Sequence, residues 1–565
     1  RPEGRANPPR PVEGHDRDIG PVSCRRLGDG LRVAMVPAPV ALDLDKERHP
    51  VADDRHVQPV ELPQPGAWRL SNAGLDAATD DATSSTINTA IENMANGRWT
   101  ANNNPDDAWG ANYRGIRKAN IFLTKIDAVP VTPDTKILWK AQARFLRAMF
   151  YFELVKRYGG VPLLGDKVLT LNDNEALYPA RNTYAECVNY ILAECDVIKD
   201  LLPVDPIPGA DLGRPTQGAV LALKSRLLLY MASPLNNPTG EITKWQAAAD
   251  AAKDVMNLNK FSLRTTGKVG LGFSEVFTVR QNNEVIFAFQ RANTDDLERA
   301  LAPIGYLSPV ASDGHVSPSQ NLVDAFPSAN GLAITNPINT TYNSANPYAN
   351  RDPRLAFTVF TNGAMWLNRA IQTYEGGLDK PGGSIRQTRT GYYQRKFLAN
   401  LPTATAYSTQ THNYTIFRYA EILLNYAEAI NETGVGIQQT EALNQLKALR
   451  LRAGIPPGDI AGYQHGLRTD MTQVEMRDAI RLERRIEMAF EEQRFWDLRR
   501  WKIAEEVLNN KPLMGVTIVR NATTNELTYT SSSVLKMVFT PKMYWEPIPY
   551  SEIVKNPNLI QNPNW

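Results

Sequence analysis

Along several stretches of the chain, apolar residues recur at steps of three and four. That is the period of a helix with one buried face. Tyr113, Ile116, Asn120 and Leu123 share one such face and predict a helix over 109–126. Thr132-Pro133-Asp134 then supplies an N-cap, a proline where no N–H is needed, and a first-turn acid. Beyond it Leu138, Ala141, Phe145, Ala148, Phe152 and Val155 make the longest stripe, which Gly159-Gly160 and Pro162 end. Further helices are predicted over 183–202, 216–233 and 243–258, the first two stopped by Pro203 and Pro234. The period returns late. Ile416, Ala420, Leu423, Ala427 and Ile430 run to Gly434, and a second helix spans 440–453 before Gly454. Thr472-Gln473-Val474-Glu475 is a capping box that opens a helix or helix pair reaching about residue 509. Alanine recurs where neighbouring backbones must approach. The lengths suit antiparallel helix pairs of the TPR type, with a repeat of about 34 residues. The expected fold is therefore mostly α, a TPR-like helical-repeat scaffold.

Between 260 and 410 the helical period fades into Gly, Pro, Asn, Thr and Ser, with short strand-like runs at 284–290 and 355–360. Such a stretch is too long for one loop of a compact domain. It predicts an irregular, loop-rich subdomain laid on the helical scaffold, where ligand-binding residues concentrate. The expected division is 67–259, an N-terminal helical region; 260–410, the irregular ligand-binding subdomain; and 411–565, C-terminal helices and a tail. Residues 1–66 stand apart, with 11 of the 39 prolines, nine Arg against one Lys, and no Phe, Tyr or Trp. A stretch so poor in apolar surface cannot offset its ordering entropy. It reads as a disordered arm or an artefactual start; the acids among its arginines argue against a basic binding arm. No apolar leader precedes a cleavage site in it, and Gly20-Pro21-Val22-Ser23 before Cys24 lacks the apolar residue of a lipoprotein box.

Composition narrows the function. Lys plus Arg number 62 and Asp plus Glu 60, so the basic surplus of a nucleic-acid binder is missing. No run of 18 apolar residues is present to cross a membrane as a helix. Three Cys make no disulfide framework, and Cys187 and Cys195 sit too far apart on one helix to bridge. The six His show no zinc spacing, and Gly267-Lys268-Val269-Gly270-Leu271-Gly272 fits neither phosphate-loop pattern, so no cofactor is expected. Asp80-Asp81, Asp106-Asp107 and Asp295-Asp296 are neighbours in sequence, not acids facing each other across a cleft, and give no support to glycoside hydrolysis. No GxSxG elbow is present.

Aromatics in polar loops are the better candidates. Trp99 lies in Gly97-Arg98-Trp99-Thr100-Ala101-Asn102-Asn103-Asn104 with no helical stripe to join. A ring there can stack on the C–H face of a sugar while Asn102 and Asn103 bond hydroxyls. Tyr306, Trp366 and Tyr374, among the many aromatics of 260–410, are expected to serve in the same way. Most stripe residues, by contrast, are core. Glu421, Glu428 and the alternating charges of Glu483-Arg484-Arg485-Ile486-Glu487 are expected to form buried pairs that fix helix register.

Several segments, in order, resemble the SusD/RagB outer-membrane lipoproteins of Bacteroidota. They are residues 144–163, from Arg144-Phe145-Leu146-Arg147 to Tyr158-Gly159-Gly160-Val161-Pro162; Gly213-Arg214-Pro215-Thr216; 317–326; and Asn350-Arg351-Asp352-Pro353-Arg354. The likeness continues through Arg418-Tyr419-Ala420-Glu421, Arg450-Leu451-Arg452-Ala453-Gly454, 483–501, Pro547-Ile548-Pro549 and 556–563. It implies a cell-surface protein, lipid-anchored in its native form, that binds a glycan and performs no reaction. It further implies delivery to a SusC-like, TonB-dependent transporter in the outer membrane. The alternative cargo within the same family is peptide. The N-terminus departs from the family pattern, which has a leader and a lipidated Cys.

Overall fold

The computed structural model describes residues 74–565 apart from 171, 174–176, 206–208, 383–385 and 435. The stretch 1–66 and Cys24 lie outside the described residues. The long helices follow the sequence pattern closely. Helix α1 spans Trp109–Lys125, α2 Pro133–Tyr158, α3 Tyr184–Ile198, α4 Gln217–Ala232 and α5 Ile242–Asn257. Thr132 caps α2, its hydroxyl accepting the Thr135 N–H at 3.3 Å, and Thr183 with Glu186 forms a capping box on α3. After strand β1 (Val285–Phe289) and the irregular middle comes β2 (Tyr414–Arg418), then α6 (Tyr419–Thr433), α7 (Ile437–Ala453), α8 (Gln473–Glu487) and α9 (Gln493–Arg500).

Consecutive helices pack as antiparallel neighbours: α1 on α2, α2 on α3, and α4 on α5. The two halves then meet, because α6 lies against both α4 and α5 before α7 and α8 cover its other side. Backbones approach closely where side chains are absent. A Cβ on Gly115 of α1 would lie 2.5 Å from the Phe150 ring of α2. One apolar core joins residues from all three sequence stretches, among them Phe145, Phe287, Tyr393 and Phe495. A second, smaller core gathers Leu423, Leu446, Leu449 and Ile480 between α6, α7 and α8.

The structure departs from expectation in three places and decides a fourth point that the sequence left open. Residues 414–418 are strand β2, antiparallel to β1 with Phe289 opposite Tyr414, so Ile416 precedes the helix it was expected to open. Residues 355–360 are mainly helix (Pro353–Thr358), started by Asp352 and Pro353, with strand only at Val359–Phe360. The charged stretch beyond Thr472, expected as one helix or a helix pair, breaks after Glu487 and continues as α9 and the short helix Ala504–Leu508. Phe490 and Glu492 are left-handed there, at φ 63° and 59°. Hydrogen bonds offset that strain: the Glu492 N–H donates to Asp76 and its carboxylate accepts from the Leu75 N–H. Finally, the tail holds the longest strands among the described residues, the hairpin β3 (Pro512–Arg520) and β4 (Leu527–Lys536). The polar run Ser531-Ser532-Ser533 hides the apolar alternation that announces a strand.

Buried ion pairs tie the helices together. Arg354, Lys396, Arg418, Arg450 and Arg452 are linked to Glu284, Asp352, Glu483, Glu487 and Glu491 in one connected cluster of five cations and five carboxylates. Every member is buried. Glu487 alone accepts from Arg354 at 2.9 Å, from Arg418 at 2.7 Å and from Arg452. Burial pushes the Glu483, Glu487 and Glu491 carboxyls up, but the facing Arg354, Arg452 and Arg418 outweigh it and hold all three below the ordinary carboxylate range. Glu421 and Glu428 pair as expected, with Arg226 at 2.6 Å and Arg500 at 2.7 Å. Glu421 and Glu428, both on α6, find their cations on α4 and α9, which is how the pairs set register.

Candidate functional site

Three of the rings expected to carry ligand are part of the core. Trp99 is 1% exposed, its ring 4.6 Å from that of Trp565. Trp366 is 3% exposed and donates its indole N–H to the Ala399 carbonyl at 3.0 Å. Tyr306 packs edge-on against Trp366 at 4.9 Å, gives its hydroxyl hydrogen to the Trp366 carbonyl at 2.6 Å, and carries the Arg369 guanidinium 3.9 Å over its face. No sugar face can reach these rings in this conformation, so their assignment to a stacking shelf is corrected. The physical reason is shared. Each loop lies on a partner segment distant in sequence, and the ring fills the space beneath.

The other candidates stay at the surface. Asn102 and Asn103 are exposed, but the Asn103 side-chain oxygen accepts from the Thr100 N–H at 2.6 Å and hydroxyl at 2.8 Å, closing its own turn. Tyr374 is half-buried; Arg520 of β3 donates to its hydroxyl at 3.0 Å, with the guanidinium 5.2 Å from the ring centre. The structure thus brings Tyr306 and Trp366 together and sets the Trp99 loop against the C-terminal segment, where the Tyr550 N–H donates to Ala101. Of the doublet acids, Asp80 is paired with Arg494, Asp81 with Arg485, Asp106 with Arg157 and Asp295 with Arg299. Cys187 and Cys195 are free and buried. Among the described residues, no cluster of His, Cys, Asp or Glu could hold a metal, and no helix is long and apolar enough to cross a membrane.

Two concavities differ in kind. One is a small cavity of about 70 Å³ beside Asp76, Phe277, His412 and Tyr414. Its volume holds a few waters. The other is an open groove of about 750 Å³ lined by Leu235, Lys502, Glu505, Glu506, Pro541, Tyr544 and Trp545. Its size is that of a ligand site. A narrow extension from Leu235, Tyr544 and Trp545 runs inward to Lys156, Tyr184, Trp496 and Arg499. The chain places these groups simply. The α2 C-terminus and α3 N-terminus bring Lys156 and Tyr184 together, and α9 adds Trp496 and Arg499. Trp545 is half-buried, 5.8 Å from the Tyr184 ring and beside Gly159, where a Cβ would lie 3.7 Å from the indole.

The groove's deep cations are already engaged. Lys156 lies 4.9 Å over the Trp496 ring and 2.7 Å from Glu153. Burial pushes its ammonium down to about 8 although Glu153 opposes that shift. Arg499 is sandwiched by Phe495 at 3.4 Å and Phe539 at 5.1 Å, and burial pushes it down to about 9. Sequence reasoning missed Trp545, although Pro541-Lys542-Met543-Tyr544-Trp545-Glu546-Pro547 has the same signal as the Trp99 loop, an aromatic in a turn-forming stretch without a stripe.

Comparison with known proteins settles the family. The SusD family model matches residues 283–565, and a second model, described as starch-binding associating with outer membrane, matches 52–229. The chain belongs to the SusD family. The second match begins inside the stretch that sequence reasoning had set apart as 1–66. This SusD-family chain is 27% identical to SusD-like protein P38 of Formosa agariphila over 418 residues, 72% of this chain and 74% of that relative. It superposes on a SusD-like protein of Bacteroides fragilis with a TM-score of 0.72 at 29% identity, covering 87% of this chain and 93% of that one. A SusD-like carbohydrate-binding protein of the same organism gives 0.70 at 26% identity, covering 86% and 92%. The mostly helical, TPR-like fold expected from the stripes is the fold of these neighbours.

Proposed function

We propose that this protein captures an oligo- or polysaccharide at the cell surface and delivers it to a SusC-like, TonB-dependent transporter, held at the outer membrane by a lipid anchor in its native form. One observation carries the reading: a solved SusD-like protein that binds carbohydrate shares the fold over most of both chains. The association with the outer membrane is a property named for the family model that matches 52–229. The helices, fixed by buried charge pairs, present loops and an open groove rather than a closed reaction chamber. Such an arrangement suits reversible docking, and cargo leaves chemically intact. The test is a glycan array beside an extended-peptide library, followed by calorimetry and chromatography of the bound cargo. Saturable binding of a glycan that is recovered unchanged supports the proposal. Binding of peptides with indifference to every glycan replaces it with peptide uptake, and shortened glycan products replace it with an enzyme. Co-purification of a TonB-dependent barrel with the tagged protein from outer membranes tests the delivery step.

A further inference from the structure

The open groove carries a narrower conclusion, which rests on the glycan-binding reading above. We propose that the groove walled by Trp545 and rimmed by Glu505, Glu506 and Lys502 is a glycan site selective for neutral over acidic sugars. Three observations point there. The space, about 750 Å³, admits a short oligosaccharide rather than a single ion or water. Trp545 offers a half-exposed ring held stiffly against Gly159 and Tyr184, so little entropy is lost when a sugar stacks on it. Glu505 and Glu506 are exposed on the rim, and no ion pair among the described residues engages them. Free carboxylates accept hydrogen bonds from hydroxyls, which neutral sugars present in number.

Charge decides the class. A uronate or sulfate needs a cation it can reach. Lys156 is paired with Glu153, Arg500 with Glu428 and Asp497, and Arg499 is 4% exposed between two rings. Among the described residues, Lys502 is the one cation of the groove lining without an ion pair, and it is opposed by Glu505 and Glu506 of the short helix Ala504–Leu508. An acidic sugar entering the groove therefore meets net repulsion within a Debye length of about 8 Å at physiological salt.

The experiment is calorimetry on the full chain with neutral oligosaccharides and with uronate- or sulfate-bearing ones, chosen from the array. Wild-type protein should prefer the neutral set. Trp545→Ala should weaken its binding by about tenfold or more, by analogy with the loss of a base-stacking ring. A Glu505→Arg/Glu506→Arg double variant changes only exposed rim residues and keeps the fold; it should gain about tenfold or more for acidic oligosaccharides. Neutral-glycan affinity unchanged by Trp545→Ala, or acidic affinity unchanged by the double variant, overturns this site while glycan binding itself stands. A wild-type preference for acidic sugars overturns the charge assignment. Binding of no glycan by the wild type overturns the proposed function, and this site with it.

Discussion

Replacing Glu487 by Gln tests the idea that charge balance, not apolar packing alone, fixes the helices. The side chain accepts from three guanidiniums, those of Arg354, Arg418 and Arg452, and is wholly buried. The cluster holds five cations and five carboxylates, so the variant leaves one buried positive charge uncompensated. Breaking a buried pair in this way costs about 3–5 kcal/mol, a large share of the roughly 5–15 kcal/mol by which folded domains are stable. Guanidinium unfolding followed by far-UV circular dichroism should show a loss of that size at pH 7. Asp127→Asn, which removes an exposed partner of Lys140, should leave the midpoint where it was. The pH dependence has a definite sign. The Glu487 carboxyl lies below its unfolded value, near 4.3, so its stabilisation is complete above that pH and is lost as acid protonates the folded state. The gap between wild type and variant should therefore be widest above about pH 5 and narrow on acidification. A Glu487→Gln protein as stable as Asp127→Asn, or a gap indifferent to pH, would refute the reasoning.

Three further outcomes are expected. Trp99→Ala should destabilise the protein by about 3–5 kcal/mol, the cost of emptying a large buried ring site, with no selective loss of glycan affinity at sub-denaturing conditions; calorimetry alongside thermal melts separates the two effects. Gly115→Ala should lower the melting temperature, because the added methyl meets the Phe150 ring at 2.5 Å, while Gly240→Ala, with open space around it and φ 69°, should cost only backbone strain. Burial pushes the Cys187 thiol up to about 11 and the Cys195 thiol to about 12, so neither should react with iodoacetamide at pH 8 until denaturant is added, as peptide mass mapping would show.

Local signals determined a good deal about this protein. The cap at Thr132, the box at Thr183 and Glu186, and the stripe from Leu138 to Val155 act within a few residues, and the helices formed where those signals lay. The ordered charged segments were enough to place the chain in its family, and the pairing of Glu421 and Glu428 with arginines follows from carboxylates embedded in apolar stripes. Tertiary structure decided the rest. Whether a loop aromatic faces water or fills a hole depends on what lies beneath it, and Trp99 is covered by Trp565 from the far end of the chain. Trp366 and Tyr306 satisfy their polar edges with backbone carbonyls that no local pattern announces. The same nonlocal packing leaves Trp545 half-open above a groove whose walls come from the turn after α4, the stretch 502–506 that follows α9, and the C-terminal segment. A side chain's exposure is a property of distant neighbours, and only the folded chain supplies them.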